Sequence, residues 1–171
     1  MSMHILYICS GNLSRSPLAE CITRDVLTKL GENDITVSSA GTHDMQGEPY
    51  DQKMVKVAAS HGYHLAGQSK LLTNEMLLNA DYIIVMDDYH YVKVQKELPY
   101  SRWNRLYLMN KIAYGESTGV EDPLCGSDAL YERVFTHIED CCDRIVQAII
   151  FTRCLNEERR HAKPPQPGEP F

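Results

Sequence analysis

The stretch HILYICSGNLSRSP, residues 4–17, decides the fold that we expect for the whole chain. Its first six residues are mostly apolar and lead directly into a Ser-Gly-Asn turn signal, which is typical of a short buried strand. Pro17 suits the first turn of a helix, and apolar residues recur four apart beyond it as far as Gly31, a common helix stop. The stretch therefore predicts a strand at residues 4–9, a tight loop, and a helix at residues 17–30.

Outward from this unit, short apolar runs alternate with amphipathic segments. Further strands are predicted at residues 35–40, 82–86 and 105–109, and further helices at residues 51–61, 88–98 and 127–151. Residues 110–126 are expected to form a long loop, a kind of segment that often carries function. Because strands that alternate with helices form parallel sheets covered on both faces, the pattern predicts one α/β domain with a four-stranded parallel sheet.

Composition and charge exclude several classes of protein. No apolar run approaches the roughly 20 residues that a membrane span needs, and the apolar start lacks a basic leader and a cleavage site. The protein is therefore expected to be cytoplasmic, with no membrane partner. The net charge of −6 disfavours nucleic acid as a partner. None of the six cysteines forms a C-x-x-C pair or a cluster with zinc spacing, so free thiols and no metal site are expected.

The C-terminal end differs in composition from the rest. Residues 156–171 contain four prolines and many charges. A segment of this kind cannot bury enough apolar surface to fold. We therefore expect a domain at residues 1–155, followed by a poorly ordered tail.

The loop that joins the first strand to its helix contains a cysteine and an arginine in C-x5-R spacing. Backbone N–H groups of such a loop can point at one anion, and the helix N-terminus adds positive potential there. The same field favours a thiolate at Cys9, while the guanidinium of Arg15 can hold two phosphate oxygens. Gly11 permits the tight turn, Asn12 can hold the loop in shape, and the Ser16 hydroxyl can donate to the sulfur. The sequence therefore predicts a phosphate-binding loop after the first strand, with the cysteine as nucleophile.

Together with segments farther along, this loop resembles the low-molecular-weight protein tyrosine phosphatase family over residues 4–151. The matching segments are Cys9-x-Gly-Asn-x-x-Arg15-Ser16-Pro17, Ala19-Glu20, Ser39-Ala40-Gly41-Thr42, His61-Gly62, Met86-Asp87 and Asp122-Pro123. The resemblance implies hydrolysis of phosphotyrosine on protein substrates, and of aryl phosphate monoesters, through a phosphocysteine intermediate and without a metal or other cofactor. It also implies that phosphate or another oxyanion binds in the loop. The expected substrate-binding residues there are Ser10, Gly11, Asn12, Leu13, Ser14 and Ser16.

The resemblance further implies that Asp122 is the general acid. An aryl or alkyl oxygen leaves poorly unless it is protonated, and the same carboxylate can later activate water. An aspartate on a long loop can approach the leaving group from outside the phosphate cradle. Taken alone, an Asp-Pro pair is also an ordinary turn signal, so the assignment depends on the family pattern.

The chain departs from that pattern in the loop and in the cleft. The second loop cysteine of the family is replaced by Ser14, so Cys9 lacks a neighbouring thiol and is expected to suffer irreversible oxidation more easily. Two aromatic walls are replaced by Met45 and Leu124, which are expected to line the cleft and to stack less well on a phosphotyrosine ring. Tyr50 is a candidate to compensate.

A second departure concerns the residues that brace the loop. A bracing histidine of the family is replaced by Gln68, whose amide can still donate a hydrogen bond. The bracing serine of the family is matched by Ser39.

Three other functions stay open. A phosphoarginine phosphatase of this kind carries a loop threonine where this chain has Leu13. A thiol-coupled arsenate reductase relays oxidation through two further cysteines near the loop, yet no cysteine lies between Cys21 and Cys125. A non-catalytic phosphate-binding or regulatory protein needs neither Cys9 nor Asp122, so the presence of both favours an enzyme.

Overall fold

A parallel sheet organises the computed structural model, which describes residues 2–161. Its strands are β1 (Met3–Cys9), β2 (Ile35–Gly41), β3 (Tyr82–Val85) and β4 (Leu106–Leu108). The spatial order is β2-β1-β3-β4, and all neighbouring strands run parallel. Since the strands are parallel, their carboxyl ends meet at one edge of the sheet, where ligand sites of open α/β folds form. Cys9 stands at that edge, opposite Gly41 in the register of β1 and β2.

Helices follow the strands in the described residues. They are α1 (Arg15–Leu30), α2 (Gln52–Ser60), α3 (Asn74–Asn79), α4 (Asp88–Glu97), a 3-10 helix (Tyr100–Arg105), α5 (Met109–Tyr114) and α6 (Asp128–His161). Three of these helices begin at a side-chain cap, where Asp51, Thr73 and Asp87 each accept a hydrogen bond from a backbone N–H in the first turn. The left-handed Gly31 ends α1 as the sequence predicts.

The side chains of β1 alternate between two apolar cores. Ile5 and Tyr7 lie in the core that contains residues of α1 and α6. Leu6 and Ile8 lie in the other core, with Leu77 of α3 and Val94 of α4. The α/β class, the four parallel strands and the helices on both faces are therefore confirmed.

Two predicted boundaries are wrong. The segment 110–126 is not all loop, because α5 follows β4 directly and ends at the left-handed Gly115. The last helix does not end at residue 151 but continues through residues 156–161, which were assigned to the tail. Arg153 supports this extension, because its guanidinium pairs with Asp34 at 3.0 Å and with Glu32. The rest of the predicted tail, residues 162–171, lies outside the described residues.

The last helix is long, but it carries charged residues along its whole length. Within residues 2–161, no helix combines the length and the apolar character that a membrane span requires.

Candidate active site

The cysteine of the loop is buried at the carboxyl end of β1. Cys9 is 3% exposed, and its Sγ lies 3.0 Å from Ser16 Oγ in the first turn of α1. The loop therefore brings the sulfur to the N-terminus of a helix, where the helix dipole favours a negative charge. A hydroxyl that donates to sulfur stabilises a thiolate both as an attacking and as a leaving group.

A buried asparagine holds the loop in its curled form. Asn12 has φ 53°, a left-handed conformation that asparagine tolerates better than most residues. Its Nδ2 donates to Ser16 Oγ at 2.9 Å and to Ser39 Oγ at 2.8 Å, and its Oδ1 accepts from the backbone N–H of Lys70 at 2.9 Å. The Ser39 hydroxyl in turn donates to Glu20 Oε2 at 2.6 Å. Every polar group of the asparagine side chain is thus used to fix the loop.

Gln68 takes no part in this network. Its exposed side chain lies near Gly47, so the prediction that it replaces a bracing histidine is wrong. The buried carboxylate of Glu20 occupies the supporting position instead, with Lys70 Nζ 3.5 Å away. From the sequence, Glu20 is recognisable only as part of the family match Ala19-Glu20, since a glutamate on a helix is usually solvent-exposed.

The end of β2 packs directly on the loop. A Cβ on Gly41 would lie 2.7 Å from the carbonyl oxygen of Ser10, so only glycine fits there. The backbone N–H groups of Thr42 and His43 donate to the carbonyls of Cys9 and Ser10 at 3.0 and 2.9 Å. The loop is therefore supported by backbone contacts as well as by side chains.

The arginine and the expected acid meet above the cysteine. Arg15 is 3% exposed; its Nη2 lies 2.7 Å from Asp122 Oδ2, and its Nη1 lies 3.2 Å from Asp87 Oδ2. Nη1 also donates to the carbonyl of Val120 at 3.1 Å, which ties the loop before Asp122 to the guanidinium. The Asp122 side chain is 48% exposed, and its Oδ1 caps the backbone N–H of Leu124 at 3.1 Å.

Two residues near the arginine were not foreseen as parts of the site. Asp87 begins α4 at the end of β3, and His90 lies fully buried one turn later with its Nε2 2.8 Å from Ser10 Oγ. Burial lowers the pKa of His90 to about 4, and the carboxylate of Asp87 only partly offsets that effect. A usable signal was the position of Asp87 directly after a central strand, since such residues share one sheet edge.

A cleft of ≈ 150 Å³ opens over the loop. Its lining residues are Cys9, Ser10, Gly11, Leu13, Ser14, Arg15, His43, Met45, Asp122 and Leu124. Two of the expected loop residues, Asn12 and Ser16, are fully buried beneath it and support the loop. The ten lining residues include the cysteine, the arginine, the expected acid and both expected wall residues.

The walls of the cleft are aliphatic on two sides and aromatic on a third. Met45 packs close to Gly11, and Leu124 is 59% exposed at the rim. The expectation that Tyr50 compensates is wrong, because its ring is buried against Gly67 and borders a separate cavity. His43 provides the aromatic surface, and the plane of its ring is parallel within 1° to that of Tyr89, with the ring centroids 6.1 Å apart. Sequence reasoning missed His43 because a histidine in a polar loop has no distinguishing pattern.

Within residues 2–161, the remaining thiols and acids form no candidate metal centre. All six cysteines lie in the described residues as free thiols. Ser14 is buried where the cleft meets the loop, and its Oγ has no hydrogen-bond partner among residues 2–161. Across the same residues, no group of three or more histidine, cysteine, aspartate or glutamate side chains could hold a metal ion.

Comparison with known proteins places these residues in a family context. The family model "Low molecular weight phosphotyrosine protein phosphatase" matches residues 4–158. The low molecular weight protein-tyrosine-phosphatase Etp of Escherichia coli (strain K12) is 32% identical over 136 residues, which is 79% of this chain and 86% of that protein. A protein tyrosine phosphatase from Entamoeba histolytica superimposes with a TM-score of 0.82 at 28% identity, covering 89% and 99% of the two chains. An arginine phosphatase, YwlE from Geobacillus stearothermophilus, shares the fold with a TM-score of 0.78 at 22% identity, covering 95% and 99%.

Proposed function

Since the chain belongs to the low molecular weight phosphotyrosine protein phosphatase family, we propose that it hydrolyses phosphotyrosine on protein substrates, and aryl phosphate monoesters, through a phosphocysteine intermediate. The observation that carries the proposal is one cleft lined by a buried thiol, a guanidinium and a carboxyl, contributed by Cys9, Arg15 and Asp122. These are the groups that a nucleophile, an oxyanion clamp and a general acid require.

The first proposed step transfers the phosphoryl group to the enzyme. The Cys9 thiolate attacks phosphorus while the P–O bond to the leaving group breaks, and protonated Asp122 gives its proton to the departing oxygen. The backbone N–H groups of the loop and the Arg15 guanidinium carry the charge on the three equatorial oxygens. The product of this step is the phosphocysteine and a free phenol.

The second proposed step returns the enzyme to its starting state. The Asp122 carboxylate takes a proton from a water molecule, whose oxygen attacks phosphorus as the S–P bond breaks. The thiolate leaves with the support of the Ser16 hydroxyl, which lies 3.0 Å from Cys9 Sγ. Inorganic phosphate then leaves the loop.

Substrate entry brings a phosphate into competition with Asp122 at the arginine. In the structure, Nη2 of Arg15 pairs with Asp122, so a phosphate that takes over this edge of the guanidinium displaces the carboxylate. The displaced carboxyl then stands free to face the leaving group. The same competition weakens the binding of simple oxyanions to the free enzyme.

The cleft supports a tyrosine-directed enzyme over the phosphoarginine alternative. Leu13 presents an aliphatic, half-buried side chain where that alternative calls for a hydroxyl. Leu13, Met45 and Leu124 together suit an apolar ring, and His43 adds a flat surface. Free thiols throughout the described residues support the further proposal of a reducing, cytoplasmic compartment.

A direct assay tests the proposed activity. The purified chain is expected to hydrolyse p-nitrophenyl phosphate and a phosphotyrosine peptide, and to leave a matched phosphoarginine peptide largely intact. Vanadate, which the loop is suited to bind, is expected to inhibit competitively. A chain that hydrolyses the phosphoarginine peptide faster than the phosphotyrosine peptide would contradict the proposal.

The physiological substrate can be sought with a trapping variant. Asp122→Ala is expected to bind phosphoproteins and to turn them over slowly, so that a pull-down retains tyrosine-phosphorylated chains. Vanadate in the buffer should release the captured proteins, because it competes for the same loop. Capture that vanadate does not disturb would show binding away from the site.

A further inference from the structure

A buried histidine connects the nucleophile loop to the residue that holds the arginine. His90 lies on α4 with no exposed surface, and its Nε2 is 2.8 Å from Ser10 Oγ. Asp87 caps the same helix, and its Oδ1 accepts the backbone N–H of His90 at 3.1 Å. The other carboxylate oxygen, Oδ2, lies 3.2 Å from Arg15 Nη1. A continuous line of polar groups thus runs from the residue after the nucleophile to the phosphate clamp.

The imidazole faces a polar group with each ring nitrogen. Its Nδ1 lies 2.9 Å from Asp87 Oδ1, out of line for a full hydrogen bond but close enough for strong electrostatic interaction. The negative carboxylate favours a proton on Nδ1, and burial lowers the pKa of His90, which favours the neutral ring. In the neutral tautomer with its proton on Nδ1, the Nε2 atom accepts a hydrogen bond from the Ser10 hydroxyl.

The contact with Nε2 fixes the side chain of Ser10 in either tautomer. With the ring proton on Nδ1, the hydroxyl hydrogen points toward α4, and the oxygen lone pairs are left to face the cleft that Ser10 lines. The residue directly follows Cys9, and its carbonyl already accepts the backbone N–H of His43. The histidine adds a side-chain anchor on the opposite side of the loop.

The same histidine acts on the arginine through Asp87. One carboxylate oxygen lies 2.9 Å from His90 Nδ1, and the other oxygen pairs with Arg15. The orientation of this carboxylate therefore decides where the guanidinium stands before phosphate binds. A buried polar group of this kind needs every partner to be in place, because an unpaired one is costly.

We propose that His90 is a positioning residue, which holds Ser10 of the phosphate loop and, through Asp87, the Arg15 clamp in the arrangement that binds a phosphoryl group. The proposal rests on the proposed function in taking this loop to be the phosphate site. The alternative is a purely structural role, in which the buried histidine only packs against the N-terminal turn of α4.

Three variants separate the two contacts. His90→Leu fills the space but removes both side-chain contacts, the one with Ser10 and the one with Asp87. Ser10→Ala removes only the contact to the loop. His90→Gln places an amide where Nε2 stood and restores the contact with Ser10. The control is His4→Leu, at the other end of β1, where the ring bonds Thr36 and Ser38 at 2.8 Å. Loss of these bonds should lower stability without reaching the loop.

Binding of inorganic phosphate, measured by titration calorimetry, needs no turnover and is the deciding measurement. Affinity is expected to fall about tenfold in His90→Leu and about threefold in Ser10→Ala, and to recover to within about threefold of the wild type in His90→Gln. His4→Leu is expected to bind phosphate as the wild type does. Thermal unfolding of each variant confirms that the protein titrated is folded.

Two results would overturn the proposal. One is a folded His90→Leu variant that binds phosphate within about twofold of the wild type, and the other is a His90→Gln variant as weak as His90→Leu, which would show that only ring packing matters. If His90→Leu does not fold, Ser10→Ala decides, since a folded Ser10→Ala variant that binds phosphate as tightly as the wild type contradicts the proposal. A wild type that binds phosphate but hydrolyses no aryl phosphate would overturn the proposed function instead.

Discussion

The phosphate loop and the loop that carries Asp122 differ in how they are held. In the phosphate loop, Asn12, Ser14, Arg15 and Ser16 are buried, and each polar group of Asn12 is bonded. In the segment that follows α5, Asp122, Leu124 and Cys125 are exposed. The phosphate loop is a fixed cradle built from contiguous residues. The loop that carries Asp122 reaches over this cradle from more than a hundred residues farther along the chain.

The loop that carries Asp122, called the acid loop below, is anchored to the rest of the domain before its aspartate. Val120 is 3% exposed and donates its backbone N–H to the Met86 carbonyl at 2.7 Å. Asn110 donates to the Gly119 carbonyl at 3.2 Å, and a Cβ on Gly119 would lie 2.8 Å from Asp87 Cβ. After Asp122 the chain turns outward to the rim of the cleft. The comparison teaches that changes in the cradle should affect every substrate alike, whereas changes in the acid loop should depend on the leaving group.

The largest effect is expected inside the cradle. Cys9→Ser should abolish hydrolysis of a phosphotyrosine peptide and of an activated aryl phosphate alike, because a serine hydroxyl stays protonated where a thiol ionises. Phosphate binding should persist, since the loop and Arg15 remain. Steady-state kinetics measure the loss of hydrolysis, and calorimetry measures the retained phosphate binding. Measurable turnover of either substrate by the purified variant would show that the cradle is not the site of covalent chemistry.

The next effect belongs to the acid loop. Asp122→Ala should lower kcat/KM, which reports transfer of the phosphoryl group to Cys9, by about 10²–10⁴ for the phosphotyrosine peptide, and much less for a phenol that leaves easily, because little protonation is then needed. Hydrolysis of the phosphocysteine should be slowed equally for both substrates, because the same carboxylate is its base. The same variant should bind inorganic phosphate more tightly, because Nη2 of Arg15 loses its carboxylate partner. Michaelis curves on both substrates provide the test.

The matched control for that loop is Glu121→Ala. Glu121 is the neighbouring acid, exposed and paired with Arg133 at 3.1 Å, and its loss should leave both rates near those of the wild type. An Asp122→Ala variant whose kcat/KM falls equally for both substrates would point to a structural role for the aspartate, and the expected difference between the two regions would not hold.

A smaller effect is expected at the rim. Leu124→Tyr should lower KM for a phosphotyrosine peptide by roughly two- to tenfold, because a stacking ring adds about 0.5–1.5 kcal/mol beyond burial. The turnover number and phosphate affinity should change little, since the wall acts on binding of the leaving group. An unchanged KM in Leu124→Tyr would show that His43 already supplies the aromatic surface. In that case, His43→Leu should raise the KM for the peptide.

The smallest effect returns to the cradle and concerns recovery from oxidation. After peroxide treatment and thiol reductant, Ser14→Cys should regain a larger fraction of its activity than the wild type, because a neighbouring thiol captures the sulfenic acid of Cys9 before further oxidation. Residual activity over time is the measurement. Complete recovery in the wild type would mean that another thiol, with the exposed Cys125 as the first to test, performs that role.

The difference between local patterns and contacts of distant residues explains which features the sequence could predict. The strand, loop and helix of residues 4–30 follow from local spacing, and the parallel sheet follows from the alternation of elements. The contacts of Ser10 with His90 and of Arg15 with Asp87 join residues 80 and 72 positions apart, and no local pattern encodes them. His43 is likewise recognisable only when the sheet edge is assembled.

Two of the errors in the helices have local causes. The short α5 begins without a side-chain cap, so the sequence offers no start signal. In α6, residues 157–160 are Glu and Arg, which are good helix formers, but the prolines farther along led to their assignment to the tail. The pairing of Arg153 with Glu32 and Asp34, which supports this extension, joins distant residues.

The phosphocysteine is the central claim, and trapping it is the most direct test. Asp122→Ala should be mixed with an activated aryl phosphate and quenched in acid within the first turnover, and the Cys9 peptide examined by mass spectrometry. An activated phenol leaves without help from the acid, whereas hydrolysis of the intermediate lacks its base in this variant. A phosphoryl group should therefore accumulate on Cys9. The control is the Cys9→Ser, Asp122→Ala double variant, in which this phosphoryl group should be absent. Product release with an unmodified Cys9, or a phosphoryl group on another residue, would contradict the account.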